Sequence, residues 1–172
     1  PPIRYSEDKE TLWKRLKDGT IDCIVTDHAP HTLEAKSTGF PRAPAGMPGV
    51  ETSLPVMLTH AVGGKCSVRD VVNWMCEGPA KVYGVEKKGS IIEGYDADLT
   101  LVDLETHRIV SDEDTWTKVG WTPYAGRELT GWPIYTIVDG EIVHRREVGG
   151  SLKGISVAEP GSTGRVLKFN QF

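Results

Sequence analysis

Apolar positions recur along this chain at two different spacings, and the change falls near Gly89. Before it the spacing is helical. Leu12, Trp13 and Leu16 form an apolar stripe, Ser6 stands where an N-cap belongs, Glu7 and Asp8 fill the first turn, and Lys17 and Gly19 close it. Acids suit the positive end of a helix dipole, and bases followed by glycine suit its other end. A short apolar run at residues 21–25, Ile-Asp-Cys-Ile-Val, then reads as a buried strand. Residues 51–62 predict another helix, with Pro55 tolerable only in its first turn. Ser67 caps a further helix running through about residue 76, with Val71, Val72 and Met75 facing inward. Gly78-Pro79 reads as its break, and Pro79 as the start of a short helix ending at Gly84.

Beyond Gly89 the pattern is that of strands. Residues 98–104 and 108–110 predict two of them, and residues 135–138 and 142–144 two more around Asp139-Gly140. Asp-Gly between β-rich runs signals a hairpin, because both turn residues must accept positive φ. Residues 123–132 read as a long connection, and Trp116, Trp121 and Trp132 as packing between the β unit and its neighbour. A sheet this small needs such a neighbour for stability. After Glu147 periodicity fades into a glycine-rich tail, expected to wrap the surface or pack on another subunit. Three parts follow: residues 1–88, 89–146 and 147–172.

Composition narrows the function classes. The chain has 172 residues, 38% hydrophobic and 26% charged, which is ordinary for a globular protein. A net charge of -4 offers no electrostatic footprint for nucleic acid. No apolar run approaches the roughly 20 residues of a membrane helix. No signal peptide opens the chain, and Cys23, Cys66 and Cys76 are odd in number and widely spaced. Reduced thiols in the cytoplasm are the expectation, without a cysteine zinc site.

The chemistry gathers at Thr26-Asp27-His28-Ala29-Pro30-His31, directly after the apolar run. A carboxylate at a strand's C-terminal end points to where parallel barrels and sheets place their sites. Asp27 can there ligate a metal through oxygen or accept a proton from water on that metal. His31 can hydrogen-bond a substrate carboxylate or carbonyl. The plainer reading is that Asp27 and His28 cap a turn. Residues 32–49 then form a long loop with three prolines and three glycines. Loops of that length in compact domains are functional or disordered. Backbone amides at Ala45 and Gly46 can approach a ligand closely, while Lys36 and Arg42 read as solvated charges and His60 as a packed or surface histidine.

Asp27-His28-Ala29-Pro30-His31 after an apolar strand, Pro44-Ala45-Gly46-Met47-Pro48-Gly49-Val50-Glu51-Thr52, the opening Pro1-Pro2-Ile3-Arg4, and residues 88–99 (KGSIIEGYDADL) resemble the dihydroorotases of the amidohydrolase superfamily. The resemblance spans about residues 1–146, with several motifs in order. It implies an α/β fold: the C-terminal part of a TIM-type (β/α)8 barrel, ending in its eighth strand, plus part of a small β-sandwich domain. It implies a zinc enzyme that reversibly cyclises N-carbamoyl-L-aspartate to (S)-dihydroorotate in pyrimidine synthesis. Asp27 is then the final metal ligand and proton carrier, His31 a substrate contact, and Ala45 and Gly46 the source of main-chain contacts to the substrate ring.

The family's other ligands are a histidine pair near the first barrel strand, a carboxylated lysine and two later histidines. None has a match here, and His28, His31, His60, His107 and His144 contain no His-x-His. A full barrel takes about 250 residues. The expectation is therefore a portion of a longer enzyme, inactive by itself, with one or two zinc ions held mainly by an N-terminal segment or a second chain. A homo-oligomer is the expected assembly, with large apolar surfaces exposed on this portion alone. Hydantoinase or allantoinase chemistry and a catalytically inactive scaffold subunit are the rival readings. The second histidine of the motif favours an acidic substrate, since hydantoin has no carboxylate to bind.

Overall fold

A computed structural model describes residue 3, residues 5–147, residue 150, and residues 154–157, 164 and 166–169. Residues 1, 2 and 4 of the opening motif, and Gly149 and Gly161 of the tail, lie outside the described residues. Among the described residues five short α-helices precede one four-stranded sheet, so helices and strands are both present as the α/β reading expects. No helix among the described residues is long and apolar enough to cross a membrane.

Helix α1 (Ser6–Lys17) begins at the residue expected to cap it, so its cap falls one position earlier, at Tyr5. Ser6 is its first residue, and the Asp8 carboxylate accepts the Tyr5 N–H at 3.3 Å. Leu16 of the apolar stripe is buried, Trp13 packs beside it and Leu12 stays exposed. Helix α2 (Leu33–Ser37) lies inside the stretch expected to be plain loop, capped by Thr32 Oγ1, which accepts from Ala35 N at 3.2 Å. Helix α3 (Ser53–Val62) carries Pro55 in its first turn, as its missing N–H requires.

Helix α4 (Val68–Val72) has the expected Ser67 cap: Asp70 N–H donates to Ser67 Oγ at 3.0 Å, and Ser67 N–H to Asp70 Oδ2 at 2.8 Å. Val71 and Met75 face the core as expected, but Val72 is exposed. The expected break at Gly78-Pro79 does not occur. A π-helical turn (Asn73–Glu77) carries the helical path straight into α5 (Gly78–Val82). Gly78 N–H donates five residues back to Asn73 O, and this wider turn accommodates a proline that has no N–H to give. Leu16, Met57, Leu58, Val71 and Trp74 form the helical core.

Residues 21–25, expected as a buried strand, join no sheet among the described residues. Ile24 N–H donates to Trp74 O at 2.9 Å, and Asp22 O rests against Gly78, where any Cβ would overlap it. Val25 is 61% exposed. A strand needs a neighbour to pair with, and the described residues supply a helix there instead.

The sheet is an antiparallel meander in the order β1 (Leu99–Ile109), β2 (Glu128–Val138), β3 (Glu141–Arg145), β4 (Ile155–Ser156). The two strands expected at 98–104 and 108–110 are one. Its register slips between Asp103 and His107, where Asp103 Oδ1 accepts the Glu105 and Thr106 N–H groups at 2.9 and 3.2 Å. β2 starts seven residues before the expected 135, so Leu129, Thr130, Gly131 and Trp132 are strand and not connection. The hairpin forms as expected, with φ 52° at Asp139 and 85° at Gly140. Two described pieces of the tail fold back on this chain: β4 pairs with β3, and Phe169 bridges to Val85.

The reason for a glycine at 131 is tertiary. At φ +85° it lies against α3, where an added Cβ would overlap the Leu58 side chain. Beside it Thr130 N–H donates to Thr59 Oγ1 at 2.8 Å, and that hydroxyl donates to Pro55 O at 2.7 Å. Val110, Leu129 and Trp132 bury themselves there against Val56 of α3, as expected of Trp132. Trp116 is half exposed.

Gly131→Ala is expected to destabilise the protein by about 2–4 kcal/mol, combining a strained left-handed alanine with an overpacked helix contact. A urea midpoint equal to wild type would show that α3 does not press on β2 in solution. His60 supplies a pH test. It stacks edge-on to Trp13 at 5.1 Å, and burial, aided by the Lys65 ammonium, holds its imidazole below the usual 6.5. The unfolded chain therefore takes up the proton first, and stability should fall as pH drops from about 6.5 toward the depressed value. Replacing His60 with Gln is expected to flatten that part of a stability-versus-pH curve; an unchanged slope would assign it elsewhere.

Candidate active site

The apolar run at residues 21–25 leads into Asp27, which adopts φ 44°. Left-handed backbone is uncommon for a residue with a side chain, though aspartate tolerates it better than most. Asp27 is exposed. Such strain persists where the surroundings hold it, and here His28, Ala29 and His31 are each tied to another segment.

His28 Nδ1 accepts the Gly49 and Val50 N–H groups at 3.1 and 3.3 Å, which assigns the proton of the neutral ring to Nε2. Ala29 N–H donates to Met47 O at 3.2 Å. Gly46, at φ 113°, sits so close to Ala29 that a Cβ would lie 2.7 Å from both its Cβ and its carbonyl oxygen. His31 O accepts the Trp121 indole N–H at 2.8 Å. The two stretches singled out in the sequence, residues 27–31 and residues 45–46, are thus laid side by side, with Ala45 exposed and His31 partly buried.

Three residues act here that the sequence did not mark. Lys36 was expected to be solvated. Instead its ammonium donates to Pro44 O and Gly46 O, both at 2.9 Å. Its position one turn beyond the Thr32 cap aims it back over the loop, and only the loop's folded path reveals the acceptors. Glu51 uses both carboxylate oxygens at 2.8 Å, on the N–H groups of Trp116 and Thr117. A lone acid ahead of the apolar α3 is the faint signal it leaves. Trp121, read only as packing, closes over His31 from the same β1–β2 connection. His28, Gly49, Glu51, Thr117 and Trp121 line a small cleft under this bracing.

For a metal, this stretch offers the Asp27 carboxylate as a suitable donor. His28 has committed Nδ1 to the loop. Among the described residues no three His, Cys, Asp or Glu side chains converge on one point. A carboxylate oxygen suits one position of a zinc site, and the arrangement fits a single contributed ligand.

The sequence profile of the amidohydrolase family matches residues 4–143. The chain belongs to the amidohydrolase family. It is 43% identical over 148 residues to a dihydroorotase of Bacillus cytotoxicus, covering 86% of this chain and 34% of the relative. With a dihydroorotase of Pyrococcus furiosus it shares 39% identity over 168 residues, 97% of this chain and 39% of the relative. Among solved structures, the L-hydantoinase (dihydropyrimidinase) of Arthrobacter aurescens superposes with TM-score 0.82 at 36% identity, covering 92% of this chain and 35% of that one. The dihydropyrimidinase of Brevibacillus agri does so with TM-score 0.80 at 29% identity, covering 93% of this chain and 38% of that one. This amidohydrolase chain spans about a third of the length of the curated relatives it matches.

Glu51→Ala is expected to cost the amidohydrolase about 2–3 kcal/mol, because two N–H groups lose a charged acceptor. Denaturant unfolding of the full-length protein reads that loss. A midpoint within error of wild type would show that water replaces the carboxylate without penalty.

Proposed function

We propose that this chain is the C-terminal portion of a zinc-dependent cyclic-amide hydrolase that interconverts N-carbamoyl-L-aspartate and (S)-dihydroorotate, a step of pyrimidine synthesis in the cytoplasm. The observation that carries this reading is the seating of Gly46 on Ala29, which sets the Ala45–Gly46 backbone beside the segment bearing Asp27 and His31. Identity of about 40% to proteins named dihydroorotase supports the same substrate.

In this proposal residues 21–25 are the last strand of a TIM-type barrel, the helices through residue 88 close it, and residues 89–146 belong to a small β-sandwich domain. The exposure of Val25 supports it, since in a barrel neighbouring strands would cover that side chain. The remaining metal ligands lie on polypeptide beyond this chain, in the same molecule or a second copy in a homo-oligomer.

Zinc, when bound, supplies a Lewis acid that makes water nucleophilic near neutral pH. Asp27 contributes one oxygen to hold the ion and takes up the proton that hydrolysis releases, returning it to the ring nitrogen as the amide opens. His31 donates to the substrate carboxylate, and the Ala45 and Gly46 N–H groups hold acceptor oxygens of the ring. Both act by fixing the substrate so that the reacting carbonyl stays in place.

A second reading, hydrolysis of hydantoin or dihydropyrimidine rings, draws support from the names of the superposing structures. The acidic substrate is preferred because His31 has no carboxylate to meet on a hydantoin.

The test is Asp27→Asn in the full-length enzyme. Asparagine keeps an oxygen donor but cannot take a proton, so kcat should fall about 10²–10⁴-fold in both directions, the range for loss of a general base. Activity within threefold of wild type would remove Asp27 from the chemistry. Parallel assays with dihydroorotate, hydantoin and allantoin separate the two substrate readings, and the isolated 172-residue chain with zinc is expected to show no turnover.

A further inference from the structure

The Pro44–Met47 backbone has a directionality that the Lys36 ammonium imposes. Lys36 Nζ lies 2.9 Å from Pro44 O and 2.9 Å from Gly46 O. In a trans peptide the C=O and the following N–H point in opposite directions. Holding the Pro44 carbonyl toward Lys36 therefore aims the Ala45 N–H away from it, and holding the Gly46 carbonyl does the same for the Met47 N–H. The Gly46 N–H lies between these two fixed peptides. No hydrogen bond from the Ala45, Gly46 or Met47 N–H groups occurs among the described residues, although Met47 O is taken by Ala29 N–H. The Pro44 and Gly46 carbonyls are thus held by Lys36, while the Ala45 and Met47 N–H groups on the far side of those two peptides make no hydrogen bond among the described residues. Gly46 reaches this arrangement only through φ 113°, which a side chain would resist.

The charge reinforces the geometry. An ammonium bonded to a carbonyl oxygen polarises the peptide and strengthens the donor at its far end. Among the described residues no carboxylate pairs with Lys36, so its charge is spent on the loop.

We propose that Lys36 is a positioning residue for the substrate: it clamps the Pro44 and Gly46 carbonyls so that the intervening N–H donors present themselves to an oxygen acceptor, a carboxylate or ring carbonyl, of the bound ligand. It does not touch the ligand. This deepens the dihydroorotate reading above and rests on it. The consequence is a selective one, since donors that bind substrate and transition state alike govern KM, whereas Asp27 governs kcat.

Steady-state kinetics of the full-length enzyme with dihydroorotate test this, using K36M, K36Q and K36R beside E34Q, an exposed control on the same helix. K36M removes the charge while keeping length. It is expected to raise KM about 10-fold or more with kcat within about threefold of wild type. K36Q, a shorter neutral donor, should fall between, and K36R should recover most of the loss. Zinc content should equal wild type in all, and E34Q should change neither constant. If KM of both K36M and K36Q matches wild type, or kcat falls in step with zinc content, the assignment to Lys36 is wrong while the substrate reading stands. If the wild-type enzyme is inert toward dihydroorotate, the substrate reading fails and takes this inference with it.

Discussion

A helix and a strand meet at Gly131, where the strand contributes no side chain and Leu58 of the helix lies against its backbone. Leu58 of α3 fills the space that a Cβ at 131 would need, and the Thr59 hydroxyl bonds the Thr130 backbone beside it. β2 is thereby set directly on α3, with Val110, Leu129 and Trp132 buried against Val56. Burial of this kind stabilises by about 25 cal/mol per Å² of apolar surface, and it works only at van der Waals contact. Because β2 is fixed there, the connection that leaves β1 passes over the start of α3. Glu51 can then bind Trp116 and Thr117, and Trp121 can reach His31. The connection between β1 and β2, with no catalytic side chain in the proposal, thus forms one wall of the cleft beside His28.

The loop itself is held by side chains acting on its backbone. A stretch rich in glycine and proline makes no ladder, yet its polar backbone groups still require partners. His28 takes two N–H groups, Lys36 two carbonyls and Trp121 one more. Each of these side chains leaves its partners only one direction, so a loop without secondary structure acquires a defined shape. The left-handed Asp27 and Gly46 lie where the bracing is densest.

Apolar exposure tells the same story from outside. Val25, Phe40, Met47 and Val50 are exposed on or beside the segments that carry the site. In the proposed barrel, neighbouring strands and substrate would cover such surface. The apolar run at residues 21–25 keeps its direction here through Ile24 and the gap at Gly78, which lets the chain lie flat against the π-helical turn.

Local features alone determined a good part of this protein: the Ser67 cap, the stripe of α1, the place of Pro55 in α3, the Asp139-Gly140 hairpin and the motif around Asp27 all depend on residues a few positions apart. So did the resemblance to dihydroorotases, which is a matter of ordered motifs. What tertiary structure decided was each feature whose cause lies far along the chain. Gly131 signalled a loop until Leu58 supplied its reason, 73 positions away. Gly78-Pro79 signalled a break until the π-helical turn absorbed it against Asp22. Lys36 looked solvated because a lysine's partners are unknown until its surroundings fold, and backbone carbonyls leave no trace in the sequence of side chains. Propensity and capping are written residue by residue, whereas close approach and the satisfaction of backbone groups exist only once distant segments have met.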